Sequence, residues 1–259
     1  MPLLDGHPLG TDLSLLPSTS WAAALGVEPP FPIALLDLAP LAGPLSPSQL
    51  ATMLSQAEQA RYQAFRYPKR RQEWLGGRLA AKAAVAALLT ADDAGREPAA
   101  PELVIANDPA GKPHLELPGL AQPVYLSISH SHGRAAALAS LRPCGIDLQA
   151  GIPTVLRVKE RFATPAEEAV LAEALGRQHA ELLRLTMLWA AKEAIRKMVP
   201  VTPLPAFQDV VLTETRPVGS AHLLLFSTDK ICHNAIHPLR VVAAIMNDFA
   251  LAATALFVS

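Results

Sequence analysis

The feature that most constrains this chain is that its second half replays the order of its first. Asp37, in LLDLA, has a counterpart in Asp147, in GIDLQ. At nearly the same offset, the helix-start pattern Ser55-Gln-Ala-Glu58 is followed by Thr164-Pro-Ala-Glu167. Ala-Ala-Lys82-Ala-Ala is followed in the same way by Ala-Ala-Lys192-Glu193-Ala. The turn at His132 has a counterpart at Asn247-Asp248, slightly further on. Ala-rich helices resemble one another, so each match alone says little; four in one order at nearly one offset say more. A repeat of about 110 residues is far longer than a solenoid unit. The expected fold is therefore α+β, a pseudo-twofold duplication of two similar α+β halves that meet near Arg142 to Gly145. Molecules of this kind often bind ligands where their halves meet.

Local signals divide the chain further. Residues 1–30 are dotted with Pro, Gly and Ser and are read as an irregular N-terminal extension. Residues 31–142 form the first half and 143–259 the second. Phe31 to Leu38 is an apolar run suited to a strand. Ser46-Pro47-Ser48-Gln49 places Ser at an N-cap, Pro at N1 and Gln at N3, and Ser55 opens a second capping box. Pro68 interrupts, after which a long helix is expected from Arg70 to Leu89, stopping near Gly95. Asn107 to Pro113 is a loop. Val124 to Ser129 and Ala135 to Leu141 read as strands around a turn at Ser131 to Arg134.

Composition excludes several classes. The net charge is -1, with 22 Lys+Arg against 23 Asp+Glu, which disfavours a general nucleic-acid binder. Two cysteines, Cys144 and Cys232, cannot build a disulfide scaffold or a CxxC zinc site. No apolar run reaches the roughly 18 residues of a membrane span. The N-terminal stretch MPLLDGHPLG carries Asp5 and neither Lys nor Arg, unlike a secretory signal. A soluble, cytoplasmic, monomeric protein is the expectation. Ala and Leu are abundant, which blurs the periodicity.

The halves differ where chemistry is possible. The second has Glu193 where the first has Ala83. Trp189, Glu193 and Lys197 follow at i, i+4 and i+8, along one helix face. The plain reading of that stripe is a Glu193–Lys197 ion pair on a solvated surface. The alternative is a functional stripe, because aromatic, carboxylate and ammonium together do not make a core. Asp147 follows Gly145-Ile146, and Asp147 and Gln149 share one face if the segment is a strand. An Asp on a strand and a Glu on a neighbouring helix can hold a hard divalent cation such as Mg²⁺; a turn Asp capping its own backbone is the alternative. Between Arg61 and Lys82 lie seven basic residues (Arg61, Arg66, Lys69, Arg70, Arg71, Arg78 and Lys82) against Glu73 alone. This is either a patch for a small polyanion or a solvated basic helix face. Gly111-Lys112-Pro113 lacks the full GxxxxGK[ST] pattern, so a P-loop is unsupported. His130 and His132 could share a strand face, but no third zinc ligand can be nominated. Near Ser129, His130 could instead be a hydrogen-bonded structural residue or a phosphate donor.

Together these segments resemble the 4'-phosphopantetheinyl transferase superfamily, in its two-repeat Sfp-like branch. ARYQAF with Arg61, GGRLAAK with Arg78, NDPAGKP with Lys112, LSISHS with Ser129 and His130, CGIDLQ with Asp147, RFATPAEE with Phe162 and WAAKEAIRK with Glu193 and Lys197 run in family order. The match spans about Leu35 to Val258, and its specific pair is the Asp segment with the W-x-x-K-E helix. One departure is Gln149, where the family carries a second acid. The resemblance implies a 4'-phosphopantetheinyl transferase of the holo-[acyl-carrier-protein] synthase type. Such an enzyme moves 4'-phosphopantetheine from coenzyme A to a serine of an apo acyl or peptidyl carrier protein, with Mg²⁺, and releases 3',5'-ADP. It implies metal ligation by Asp147 and Glu193, with Gln149 as the third candidate. Glu193 would be the base and Lys197 the group neutralising pyrophosphate charge. Arg61, Lys112, Ser129 and His130 would hold the 3'-phosphate and adenine end, with Arg78 and Lys82 as further candidates for that wall. Two other readings stay open at this level. One is a non-catalytic duplicate that binds coenzyme A or a carrier protein, which Gln149 favours. The other is a metal-dependent nuclease, disfavoured by the missing E-x-K spacing and the charge balance.

Overall fold

The structure is a computed structural model, and it describes residues 13–16, 18–91, 98–176, 179–199, 203–228 and 238–256. In chain order the elements are β1 (Leu13–Leu16), α1 (Thr19–Leu25), β2 (Ile33–Asp37), α2 (Pro47–Met53), α3 (Gln56–Gln63), α4 (Pro68–Ala91), β3 (Val104–Asn107), β4 (Pro113–Glu116), β5 (Tyr125–Ser131) and β6 (Arg134–Ser140). There follow β7 (Cys144–Ala150), α5 (Pro153–Arg157), α6 (Pro165–Leu175), α7 (Glu181–Met198), β8 (Val211–Val218), β9 (Ala221–Ser227), β10 (Leu239–Met246) and β11 (Phe249–Ala255). The chain divides into two compact units. The first takes the chain up to Ser18 together with Pro30–Arg142; the second takes Thr19–Pro29 and the chain from Pro143 onward.

Each unit is an antiparallel sheet covered by helices, so the fold is α+β. The first sheet has the order β1-β2-β6-β5-β4-β3, and the second β7-β11-β10-β9-β8. With β1 set aside, strand order and helix order are the same in both units. Capping explains where the helices begin. Ser46 with Gln49, Ser55 with Glu58, and Thr164 with Glu167 each form reciprocal capping boxes at the starts of α2, α3 and α6. The helix expected from Arg70 begins at Pro68, because a proline at the start of a helix gives up only an N–H that lacks a partner anyway. Gly95, its expected stop, lies outside the described residues, as does Cys232.

Residues 1–30 are not one irregular extension. Leu13–Leu16 pairs antiparallel with β2, Leu13 opposite Leu36 and Leu16 opposite Ile33. Thr19–Leu25 is a helix that buries Trp21, Ala22 and Leu25 in the second unit. So short a strand and so short a helix do not register as periodicity. The structure of residues 1–12 is not described.

The abundance of alanine has a packing reason. In the first unit Ala80, Ala81, Ala83 and Ala84 of α4 share a core with Ala135, Ala137 and Ala139 of β6. In the second, Ala190, Ala191 and Ala194 of α7 share one with Ala250 and Ala252 of β11. Small side chains on both surfaces let a helix lie close to its sheet. No helix among the described residues is long and apolar enough to cross a membrane.

A buried lysine stands at the centre of each unit. The Lys82 ammonium meets Glu58 Oε2 at 2.6 Å and donates to the carbonyls of Met53 at 3.0 Å and Ala100 at 2.8 Å. Lys192 meets Glu167 Oε1 at 2.7 Å and donates to the carbonyls of Phe162 at 2.7 Å and Phe207 at 3.0 Å. The two glutamates also accept backbone N–H groups from the first strand after the long helix, Ile105 for Glu58 and Leu212 for Glu167. Both glutamates are the N3 residues of capping boxes, so one carboxylate serves a helix start, a strand and an ammonium. Burial lowers the pKa of each lysine, and the partner glutamate opposes that shift.

Lys82→Met and Lys192→Met should each lower stability by about 3–5 kcal/mol, because each strands a buried carboxylate. Urea unfolding measures this. The double change Lys82→Met with Glu58→Leu should lose less than Lys82→Met alone.

Candidate active site

The second unit gathers its charged groups where β7 runs beneath α7. Gly145, Asp147 and Gln149 pair with Thr254, Ala252 and Ala250 of β11. Ala250 and Ala252 belong to the core under α7, so this alternate set of β7 faces the helix. At Gly145 the approach is so close that a Cβ would be driven into the carbonyl oxygen of Ala194. Glycine therefore lets strand and helix touch, and further along the same face Asp147 is held against the last turns of α7.

There Lys197 Nζ donates to Asp147 Oδ1 at 2.7 Å and to the Ile146 carbonyl at 3.0 Å. Glu193, one turn earlier, accepts from Arg196 Nη1 at 2.9 Å. Arg196 is itself fixed, with its Nε donating to the Pro205 carbonyl at 3.2 Å and its guanidinium 4.6 Å from the centre of the Phe207 ring. The expected Glu193–Lys197 ion pair is replaced by these two, Glu193–Arg196 and Asp147–Lys197. Trp189 packs edge-on against Phe162 at 5.0 Å and beside Phe207 at 4.9 Å. Lys192 holds the carbonyls of those same two phenylalanines, so the helix bearing Glu193 is pinned on its buried side.

The carboxyl of Glu193 is held above the usual carboxylate range, first by burial and then by the charge of Asp147; Arg196 and Lys197 pull the other way. Two carboxylates that repel each other across hard oxygen donors fit a divalent cation, which would relieve the repulsion. Gln149 is turned along its own strand, its amide donating to the Ala150 carbonyl at 3.0 Å. Among the described residues no group of three or more His, Cys, Asp or Glu side chains comes together.

Among the described residues, the first unit lacks this charge set. Leu38 N–H donates to the Gly133 carbonyl and Gly151 N–H to the Asp248 carbonyl, at the same place beside the last hairpin of each unit. Counting back from these bonds, Asp37 corresponds to Ala150, and Asp147 to Ala34. The sequence pairing of Asp37 with Asp147 is corrected accordingly, Ala34 taking the place of Asp37. Asp37 is the exposed last residue of β2, and its Oδ1 accepts the Ala39 N–H at 2.8 Å.

The basic segment of the first unit is three different things. Lys82 is buried structure and no part of a binding wall. Lys69 and Arg70 are exposed and lie 4.0 and 3.7 Å from Glu73. Arg61 is exposed, its guanidinium 5.2 Å from the Phe65 ring. Arg78 is buried, stacked 5.0 Å from Trp74 and hydrogen-bonded to Asn107 Oδ1, while its Nε has no partner. Burial lowers its pKa, Glu58 opposes that shift and Arg61 adds to it. Arg78 lines a cleft with Arg70, Glu73, Trp74, Asn107 and His130. His130 Nδ1 is 3.9 Å from Glu73 Oε2. Ser129 alternates to the opposite face of the sheet from Ile128 and His130, and is buried there. Lys112 is exposed on the β3–β4 loop between Gly111 and Pro113, which do line the cleft. The structure thus brings Arg78 and His130 together and sets Arg61, Lys112 and Ser129 outside the cleft lining. Asn107, which orients Arg78, was missed; its place at the head of the NDPAGKP loop was the available signal.

Residues 143–254 match the family described as the 4'-phosphopantetheinyl transferase superfamily. The comparison with curated proteins finds no match. Among solved structures, holo-ACP-synthase from Plasmodium yoelii is similar at 22% identity, over 42% of this chain and 90% of that one, with a TM-score of 0.36. An ACPS-CoA complex from Chronobacterium ammoniagenes is similar at 23% identity, over 42% and 92%, with a TM-score of 0.35. Holo-[acyl-carrier-protein] synthase from Neisseria meningitidis follows at 20% identity, over 42% and 94%, with a TM-score of 0.34.

The raised pKa of Glu193 gives a signed prediction. A carboxyl whose pKa rises on folding opposes folding when ionised; the penalty is full above the folded pKa and vanishes below the unfolded one. Without added metal, Glu193→Gln should melt higher than the wild type at neutral pH. The gap should close as the pH falls into the acid range.

Proposed function

We propose that this chain transfers 4'-phosphopantetheine from coenzyme A to a serine of an apo acyl or peptidyl carrier protein, releasing 3',5'-ADP. The observation that carries this reading is the Asp147–Lys197 and Glu193–Arg196 arrangement inside the segment that matches the superfamily. The first unit has alanine at the corresponding positions 34 and 83. In the reaction the serine oxygen attacks the phosphorus bearing the pantetheine arm, and the bond to the 3',5'-ADP oxygen breaks. Glu193 accepts the serine proton, a task to which a carboxyl raised above its usual range is well matched. Lys197 neutralises charge at the pyrophosphate. Asp147 and Glu193 would hold Mg²⁺, with Gln149 at the margin of the site; when bound, the ion supplies charge stabilisation to the pyrophosphate oxygens. Arg78 and His130 would take the nucleotide phosphate, with Arg61, Lys112 and Ser129 as outlying contributors. A duplicated α+β unit, in the manner of the two-repeat branch, accounts for the shared element order and for the two buried lysine pairs.

The test is mass gain on an apo carrier protein incubated with coenzyme A and Mg²⁺. The wild type should modify the carrier, and Glu193→Gln should not, although it folds. Modification by that variant at the wild-type rate would remove Glu193 from its role. Arg78→Met should weaken 3',5'-ADP binding by about tenfold or more, the worth of one charge-assisted hydrogen bond. Calorimetric titration reads this directly.

The exposed basic run Arg66, Lys69 and Arg70 would steer an acidic carrier protein. Carrier association should then slow markedly between low salt and about 0.5 M salt. An on-rate indifferent to ionic strength would exclude that steering.

A further inference from the structure

Lys197 Nζ donates to Asp147 Oδ1 and to the Ile146 carbonyl, and the carboxylate it holds is buried. The other cation of the site is anchored differently. Arg196 rests on the Phe207 ring and the Pro205 carbonyl, independently of the Glu193 carboxylate. Lys197 carries its charge on a flexible four-carbon stem that is 30% exposed, so it can leave without disturbing the core. The charged groups also come as a set. Ala34 and Ala83 stand where the second unit has Asp147 and Glu193, and Ala87 stands to Ala83 as Lys197 does to Glu193, one helical turn on. An ammonium bound 2.7 Å from a carboxylate oxygen and a divalent cation on that same carboxylate repel strongly.

We infer that Lys197 is a built-in competitor for the divalent cation at Asp147. The lysine neutralises the buried aspartate, and a cation can bind there only by displacing it. The displaced ammonium is then available to an anionic phosphate. This inference rests on the metal role assigned above to Asp147.

The experiment titrates the full chain with Mn²⁺ alone, reading free metal by electron paramagnetic resonance, with no substrate present. Lys197→Met should bind Mn²⁺ about tenfold more tightly than the wild type, within the usual range of coupling between competing ligands. Lys159→Met removes one positive charge from the same unit without touching Asp147, and should change affinity less than about twofold. Unchanged or weaker binding by Lys197→Met would overturn the inference, since a lysine that merely orients Asp147 would weaken binding when lost. Equal tightening by both variants would overturn it too, as a general effect of charge. Asp147→Asn separates the two readings. If it binds Mn²⁺ like the wild type, the metal role of Asp147 itself fails. Should Lys197→Met not fold, the wild type is read by the ¹⁵N signal of the Lys197 ammonium. Loss of that signal's hydrogen-bonded shift at saturating Mg²⁺ supports displacement, and its persistence refutes it.

Discussion

Lys192 carries a full charge into the interior of its unit, and what it meets there decides where the neighbouring parts can go. Its three donors are taken by Glu167 and by the carbonyls of Phe162 and Phe207. Those partners come from the start of α6, the turn before it and the turn after α7. A charge so deeply buried is tolerable only when every donor is met. The position of α7 along its axis is therefore tightly specified. Glu193 is the next residue, and it inherits that precision while pointing to a half-exposed surface. Lys82 imposes the same order on the first unit through Glu58, but there the next residue is Ala83, so the scaffold is present without the chemistry.

This arrangement separates the charges that hold the fold from those proposed to act. The buried pairs Lys82–Glu58 and Lys192–Glu167 form closed networks within their units. At the site Asp147 is buried while Glu193, Arg196 and Lys197 are partly exposed, and each carboxylate there has a cation beside it. Burial first, and then the nearness of Asp147, raise the pKa of Glu193. A shift of this kind belongs to sites where an ion or a proton is to be received, at some expense of stability.

Much of this was legible in the chain because it depends on short-range rules. Ser-x-x-Glu and Thr-x-x-Glu announce helix starts, and all the boxes read from sequence are formed. The Asp147 segment and the W-x-x-K-E helix were recognised together, and the structure packs them together. What was not legible depends on pairing across space. The register of β2 and β7 against their hairpins moved the counterpart of Asp147 from Asp37 to Ala34, a slip that linear offset cannot see. Strand alternation placed Ser129 and His130 on opposite faces, although adjacency in sequence had grouped them. Lys82 looked like one more member of a basic run, and only its burial against Glu58 distinguishes it. The strand at Leu13–Leu16 owes its form to β2 alongside rather than to its own short sequence.

The membership of α1 bears on how the protein can be divided. The superfamily match begins at residue 143, which suggests that the second half could be expressed as a piece. Thr19–Leu25, however, packs on β8 and β10 and buries Trp21 and Leu25 there. A fragment cut at Pro143 would bare that apolar surface to water, and apolar surface exposed on a sheet invites association. The smallest autonomous form of the second unit has to carry the segment 19–29 with it, joined by a linker or supplied as a peptide.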